Sequence, residues 1–309
     1  MHNDKKLQPQ CGLKNYDKIL IFAAFAAGVF LFFHPGFWGT ANHGYVFFEK
    51  LFSGKGLHFF EIFAPHEKTY YFLKNAKYKI FIYIFFCLWG MPGFLFNKIF
   101  HLRLNERFLI YWAKCVSVGF FVGCGILVKK ICLKLNISEN TATAGMFLFI
   151  FNPIAFFSPM AMGQYDSICL FFSLLAMMFY LEGNMAKTCF VAGIGAVCKF
   201  FPLLIFIPLI LLREKKILNI LKYVLLCLWL YIPTSLLFHG RTGNASAFTS
   251  MMIDRLFQAN ISLGTGEVSI FLLCYCFLVF ARFICNLRDK REFRSEEHTS
   301  ELQSRETIS

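Results

Sequence analysis

Long apolar runs separated by short basic turns are the feature that most constrains what this chain can fold into. A helical membrane span needs about 20 largely apolar residues, because a backbone surrounded by lipid must satisfy its polar groups within the helix. Spans are predicted at 18–35, 107–128, 141–158, 167–183, 187–199, 201–212, 217–238 and 267–285. The expected fold is therefore all-α, a polytopic transmembrane helical bundle.

Composition and charge placement agree with a membrane environment. Of 309 residues, 57% are hydrophobic and 19% are aromatic, whereas a soluble domain is about 45–50% apolar. In a soluble protein the formal net charge of +13 would suggest nucleic acid as a partner. Here Lys and Arg cluster at the ends of the apolar runs, as they do when basic loops remain cytoplasmic. We therefore expect membrane lipid as a partner and no nucleic acid.

The segment 79–97 is the ambiguous element of the topology. It is apolar and long enough to cross, yet Gly90, Pro92 and Gly93 lie near its middle and predict a break there. If the segment crosses, the basic loop at 129–134 falls on the outer face, against the positive-inside rule.

If 79–97 is instead interfacial or re-entrant, the N-terminal basic residues and the basic turns at 129–134, 213–216 and 288–291 all lie inside. We expect this second arrangement, with residues 34–106 forming a long outer loop. The predicted protein is an integral, multi-pass protein of a bacterial cytoplasmic membrane with a cytoplasmic N-terminus.

The last residues of the sequence read as foreign to the protein. Residues 294–303, "RSEEHTSELQ", are what a common sequencing-library adapter encodes when it is translated in one frame. Such segments are excluded from fold reasoning. We expect one transmembrane domain over 1–293, truncated at its C-terminus, followed by an artefactual tail over 294–309.

The polar turn in "NPIAFFSPMAMGQYDSICLFF" is the sharpest local signal for function. It places Gln164, Tyr165 and Asp166 between two apolar helices. Asp is a good residue for the start of a helix, which would explain Asp166 structurally. A carboxylate at the edge of a membrane bundle is costly, however, and together with Gln164 it suggests a site.

Lys199 is the second signal, because it is a lone cation between two apolar halves and is followed by Pro202. Its side chain could extend to a lipid headgroup. At a helix break on the outer face it could equally hold a substrate phosphate as a point charge. The residues alone leave both interpretations open.

The order of these features resembles the GT-C superfamily of membrane glycosyltransferases, in particular the bacterial mannosyltransferase-like members and the relatives that build GPI anchors. The resemblance covers roughly 18–240 and rests on "NP…SPMAMGQYDS" from Asn152, "CKFFPLLIFIP" with Lys199, and Lys114 in "IYWAKCVSVGFF". It implies a GT-C-like bundle and sugar transfer from a polyprenyl-phosphate or dolichyl-phosphate carrier.

The sequence departs from that family in the first outer loop, where the resemblance implies a catalytic Asp. No Asp occurs in 34–106, and Asn42 stands near the expected position. An amide cannot accept the proton, so the candidate bases are Asp166, Glu49 and His43, with Asn42, Gln164 and Tyr165 as substrate-binding residues. Lys199 is expected to bind the donor phosphate, and further candidates in the outer loop 239–266 are Arg241 and Arg255.

The reaction that the resemblance implies transfers a sugar, mannose or another hexose, to a hydroxyl of a glycan, lipid or protein acceptor. The acceptor needs a base and the departing lipid phosphate needs a cation. No paired carboxylate motif suits a magnesium-type ion, so no metal or other obligatory cofactor is expected. Two other classes stay open, namely a transporter or flippase of a lipid-linked substrate and a non-catalytic membrane assembly subunit.

Overall fold

The computed structural model describes residues 13–32, 47, 51–54, 80–100, 106–162, 164–237, 260–262, 267–270, 273–277, 279–281 and 284. Within them the elements are α1 Asn15–Phe30, α2 Ile80–Phe100, α3 Glu106–Lys134, α4 Glu139–Ile150, α5 Pro153–Phe156, a π turn Phe157–Ala161, α6 Asp166–Leu181, α7 Met185–Cys198, α8 Phe201–Arg213, α9 Ile217–Cys227, α10 Tyr231–Leu237, β1 Asn260–Ser262 and β2 Glu267–Ser269.

The prediction of a helical membrane fold is confirmed in its coarse form. By length and composition, α3 is the described helix long and apolar enough to cross a membrane, over Arg107–Lys134. Two bent pairs of helices raise the number of candidate spans in the described residues to three. The other apolar helices are shorter, with 16 residues in α6, 14 in α7 and 13 in α8. Eight spans and a GT-C-like bundle therefore stay predictions.

Both bent pairs lie where the sequence predicts a straight span. The first pair is α4 and the segment Pro153–Ala161, which consists of α5 and the π turn, and it is bent by 51° where Asn152 caps a new helix and Pro153 occupies its first position. The pair α9 and α10 is bent by 53°. Pro233 lies four residues after Trp229 and cannot donate the helical hydrogen bond to its carbonyl, which accounts for the break there.

Two sequence predictions on element boundaries are wrong. The predicted break in 79–97 does not occur, because α2 runs continuously through Gly90 and Pro92 to Phe100. The missing hydrogen bond of Pro92 falls beside Leu88, on the exposed side of the helix, where the backbone has room to adjust. The predicted span 267–285 begins instead in β2, which pairs antiparallel with β1, and the described residues among 270–284 are helical.

The long helix α3 packs against α1, α2, α4 and α6 and forms the centre of the described structure. Later residues of α1 contact earlier residues of α3. The ring of Phe25 lies beside Gly119, while Val29 and Phe32 lie beside Lys114. The two helices are therefore antiparallel, with the end of α1 and the beginning of α3 at the same end of the bundle.

Polar contacts mark one end of the helices, which we call the Lys134 end. Lys134 at the close of α3 forms a 2.9 Å ion pair with Glu182 at the close of α6. Arg213 at the close of α8 donates a 2.7 Å hydrogen bond to the Tyr180 carbonyl. At the opposite end, which we call the Lys199 end, α6 begins, α7 ends and α8 begins.

Candidate functional site

The Lys199 end contains an ion pair between the two charged residues that the sequence singled out. Lys199 Nζ lies 2.6 Å from Asp166 Oδ1. Their side chains are 23% and 40% exposed, so the pair is reachable from outside the bundle but is partly shielded from solvent. Shielding strengthens the attraction relative to that of a fully solvated surface pair.

The chain fixes Asp166 through the turn that precedes it. The π turn ends at Ala161, and Ser158 holds Gln164 twice. The Gln164 N–H donates to the Ser158 carbonyl at 2.9 Å, and the Ser158 hydroxyl donates to Gln164 Oε1 at 3.2 Å. Single π turns inside helices occur often at functional sites. Here the π turn lets the chain turn sharply and then start α6 at Asp166.

Tyr165 and Ser167 anchor the same turn to the core. Tyr165 is 4% exposed and packs in a cluster with Ile82 and Phe86 of α2. The Ser167 hydroxyl donates a 2.9 Å hydrogen bond to the Ser117 carbonyl of α3. Asp166 therefore stands between two buried neighbours, one of which packs against the first half of α2. Tyr165 thus has a packing role in the structure, and the substrate-binding role expected from the sequence stays a prediction.

Lys199 is positioned by the break between α7 and α8. Its backbone is extended, with φ −149° and ψ 149°, and its N–H still bonds to the Gly195 carbonyl at 3.1 Å. Pro202 then lies in the first turn of α8. A Cβ on Gly195 would lie 3.1 Å from Pro202 and 3.4 Å from the Cys169 carbonyl. The close packing at Gly195 thus brings α6, α7 and α8 together beside the pair.

The helix ends around the ion pair give it a positive surrounding field. Asp166 is the first residue of α6, and Lys199 precedes the start of α8 by two residues. Each helix N-terminus carries about half a positive charge, and the C-terminus of α7 carries about half a negative one. The positive charge of two helix N-termini and Lys199 therefore exceeds the negative charge of one helix C-terminus and Asp166. The electrostatic potential at this position favours an anion.

The other predicted site residues fall into two groups. Asn42, His43, Glu49, Arg241 and Arg255 lie outside the described residues. Lys114 is described and takes a different place from Lys199, since it is 2% exposed and donates hydrogen bonds to the carbonyls of Val29 and Phe32. It closes the C-terminal end of α1.

Asn152, which belongs to the family-like motif, has a structural use. Its side-chain Oδ1 accepts hydrogen bonds from the N–H groups of Ile154 at 2.9 Å and Ala155 at 3.2 Å. With Pro153 at the first position, this is a capped helix start. The "NP" of the motif therefore sets the bend that leads the chain to Asp166.

The contact between Asp166 and Lys199 was missed at the sequence level although both residues were identified. The signal for it is the turn at Gly183, where φ is +83° and the chain reverses between α6 and α7. Residues almost equally distant from such a turn meet when two helices pack antiparallel. Asp166 and Lys199 satisfy that condition.

Among the residues that the structure describes, no group of three or more His, Cys, Asp or Glu side chains is placed to hold a metal ion. The expectation of no obligatory metal stays a prediction. No family model, curated protein or solved structure matches the chain.

Proposed function

We propose that this protein is a membrane glycosyltransferase that moves a sugar, mannose or another hexose, from a polyprenyl-phosphate carrier to an acceptor hydroxyl on the outer face. The observation that carries the proposal is the Lys199–Asp166 pair, 2.6 Å long and partly exposed at a break between helices. A cation for a phosphate and a carboxylate for a proton are the two groups that this reaction requires.

In the proposed reaction the bond between the sugar C1 and the donor phosphate oxygen breaks, and its electron pair stays on the phosphate. A bond from the acceptor oxygen to C1 forms, and the acceptor proton passes to Asp166. Lys199 stabilises the charge that accumulates on the departing lipid phosphate. Asp166 later returns the proton to water, which restores the starting state. Glu49 and His43 remain the alternative bases.

The proposed topology places the Lys199 end on the outer face and the Lys134 end in the cytoplasm. Basic residues collect at the Lys134 end, where Lys129 pairs with Glu139 at 3.5 Å and Lys134 pairs with Glu182. Arg213 lies there too, and Lys215 and Lys216 follow it. This distribution supports the assignment, because cytoplasmic turns carry the excess of Lys and Arg.

The proposal is tested by measuring sugar transfer with purified Lys199→Met protein. The donor is polyprenyl-phosphate mannose, and the acceptor is a short alkyl glycoside. Loss of a preorganised charge partner should lower turnover by about 10²-fold or more. Lys199→Arg should retain part of the activity, since it keeps the charge and changes the geometry.

Lys187→Met is the matched control. Lys187 is an exposed Lys on the same helix α7, near its start at the Lys134 end, so its loss should leave turnover unchanged. Wild-type turnover in a stably folded Lys199→Met protein would remove Lys199 from the mechanism. Donor binding by wild-type protein without any transfer would favour a transporter or a non-catalytic subunit instead.

A further inference from the structure

The closeness of Asp166 and Lys199 creates a difficulty for the two roles that the proposed function assigns to them. At 2.6 Å the cation already has an anionic partner, and the carboxylate already has a cationic one. A carboxylate oxygen that already accepts a hydrogen bond from an ammonium group is not free to receive a proton from an acceptor hydroxyl. Lys199 can pair with a phosphate only after Asp166 is displaced, and the free energy needed to displace Asp166 reduces the affinity for the phosphate.

We propose that the Lys199–Asp166 pair is a displacement switch, in which a lipid-linked phosphate takes Lys199 from Asp166 and so releases Asp166 as a base. This inference rests on the proposed function, because it concerns the same site and the same class of donor. In the free protein Asp166 occupies the position of the phosphate. When the donor binds, the phosphate pairs with Lys199, and Asp166 is released toward the acceptor.

The geometry of the site suits an exchange of anions. The two helix N-termini of α6 and α8 favour a negative group at this position whether or not Asp166 supplies it. Lys199 stands on a short extended segment between two helices, and its side chain is 23% exposed. Asp166 is 40% exposed and its neighbours Tyr165 and Ser167 are buried. Its side chain can therefore leave the pair without unpacking the helix start.

The other well-formed ion pair of α6 offers a contrast. Glu182 at the far end of α6 pairs with Lys134 at 2.9 Å, and both side chains are 35% exposed. That pair joins the closing ends of α3 and α6, and the start of α7 at Met185 lies three residues after Glu182. Two negative helix ends outweigh one positive end there, so the helix dipoles favour a cation and not a second anion. It serves as the matched control, because it has a similar distance and exposure on the same helix.

A switch and a purely structural ion pair differ in one measurable consequence. If the pair is a switch, the affinity for the lipid-linked phosphate rises when Asp166 is made neutral. If the donor must first break the pair, its apparent affinity is reduced by the fraction of molecules in which Lys199 is free. A pair that is closed about 90% of the time lowers the affinity about tenfold. Neutralising Asp166 removes that competition while it also removes the base.

The experiment measures the affinity of purified protein for polyprenyl phosphate and, separately, sugar transfer from polyprenyl-phosphate mannose. Asp166→Asn should bind polyprenyl phosphate about tenfold more tightly than wild type and should transfer at least about 10²-fold more slowly. Glu182→Gln should leave both quantities unchanged. Inorganic phosphate should not displace polyprenyl phosphate at the same concentration, because the lipid chain contributes to binding. Displacement as effective as that by polyprenyl phosphate itself would show that the site binds free phosphate.

Equal or weaker binding of polyprenyl phosphate by folded Asp166→Asn protein overturns the switch. Asp166→Ser repeats the test with a second small neutral side chain. If both neutral variants fail to fold while Asp166→Glu folds, the pair belongs to the architecture and the switch is likewise overturned. Binding without transfer in wild-type protein would refute the proposed function and, with it, the release of Asp166 as a base. Transfer with unchanged Asp166→Asn affinity would refute only the switch.

Discussion

Lys114 shows how a buried cation can serve the fold at a distance from the candidate site. It is 2% exposed on α3, and its ammonium group donates to the Val29 carbonyl at 3.4 Å and to the Phe32 carbonyl. The last carbonyls of a helix have no partner within it, and a Lys there also interacts favourably with the helix dipole. Lys114 therefore fixes the end of α1 against α3.

Replacing Lys114 by Met should lower the free energy of unfolding by about 1–3 kcal/mol, because a charged hydrogen-bond donor is lost and buried carbonyls are left unpaired. Thermal unfolding of the detergent-solubilised protein measures the effect. Lys130→Met is the matched control, because Lys130 is exposed on the same helix. Equal unfolding temperatures for the two variants would show that Lys114 does not hold α1.

At the scale of single residues, the sequence identified Asp166 and Lys199 but gave them separate tasks. Residue type and local context predict that a charge at a helix break is informative, as both positions show. They do not predict which charges touch, because a 2.6 Å contact depends on the relative rotation of α6 and α7. The cap at Asn152 could have been predicted, since Asn followed by Pro is a typical helix start.

At the scale of elements, glycines determine how closely the helices approach. A Cβ on Gly193 of α7 would lie 2.7 Å from the Trp229 ring and 2.9 Å from the Cys227 carbonyl. Trp229 stands in the break between α9 and α10, stacks on Phe190 at 4.6 Å and donates to the Phe190 carbonyl at 3.1 Å. The absence of a side chain at Gly193 lets the bent pair of α9 and α10 lie against α7.

Gly193→Ala should destabilise the protein by about 1–3 kcal/mol, since backbone as well as the indole must shift to admit the methyl group. Gly90→Ala is the matched control. Gly90 is also a helical glycine, but a Cβ there meets nothing within 4 Å, so alanine should be neutral or stabilise α2 by up to about 1 kcal/mol. Thermal unfolding of both variants measures the difference. A Gly193→Ala protein that is more stable than the Gly90→Ala protein would contradict the close packing of Gly193 against Trp229.

Element boundaries were predictable where a strong local signal marks them. The predicted spans 187–199 and 201–212 agree closely with α7 at Met185–Cys198 and α8 at Phe201–Arg213, because Lys199 and Pro202 interrupt the apolar run. The same reasoning failed for α2, where Pro92 lies within a continuous helix. Whether a proline ends a helix depends on the packing of its neighbours, which the sequence does not contain.

At the scale of the whole molecule, the antiparallel packing of α1 and α3 constrains the topology. The contacts of Phe25 with Gly119 and of Val29 and Phe32 with Lys114 place the end of α1 and the first half of α3 at the same depth. The end of α1 and the beginning of α3 therefore lie at the same end of the bundle. The outer loop that the charge pattern predicts over 34–106 requires this placement, and the loop itself stays a prediction.

Labelling from each side of the membrane tests this topology. In a background without native Cys, Asn105→Cys before α3 should react with an impermeant maleimide from the outer face only. Leu135→Cys should react from the cytoplasmic face only, because Leu135 is 53% exposed just after α3. Leu135 is preferred to Asn136, whose φ of +59° strains most other side chains.

The two sites are separated by one helix, Glu106–Lys134, which is 29 residues long, or about 43 Å at the helical rise. They must label from opposite faces if α3 spans. Labelling of both sites from the same face would show that α3 does not cross, and outer labelling of Leu135→Cys with cytoplasmic labelling of Asn105→Cys would invert the proposed sidedness of the Lys199–Asp166 pair.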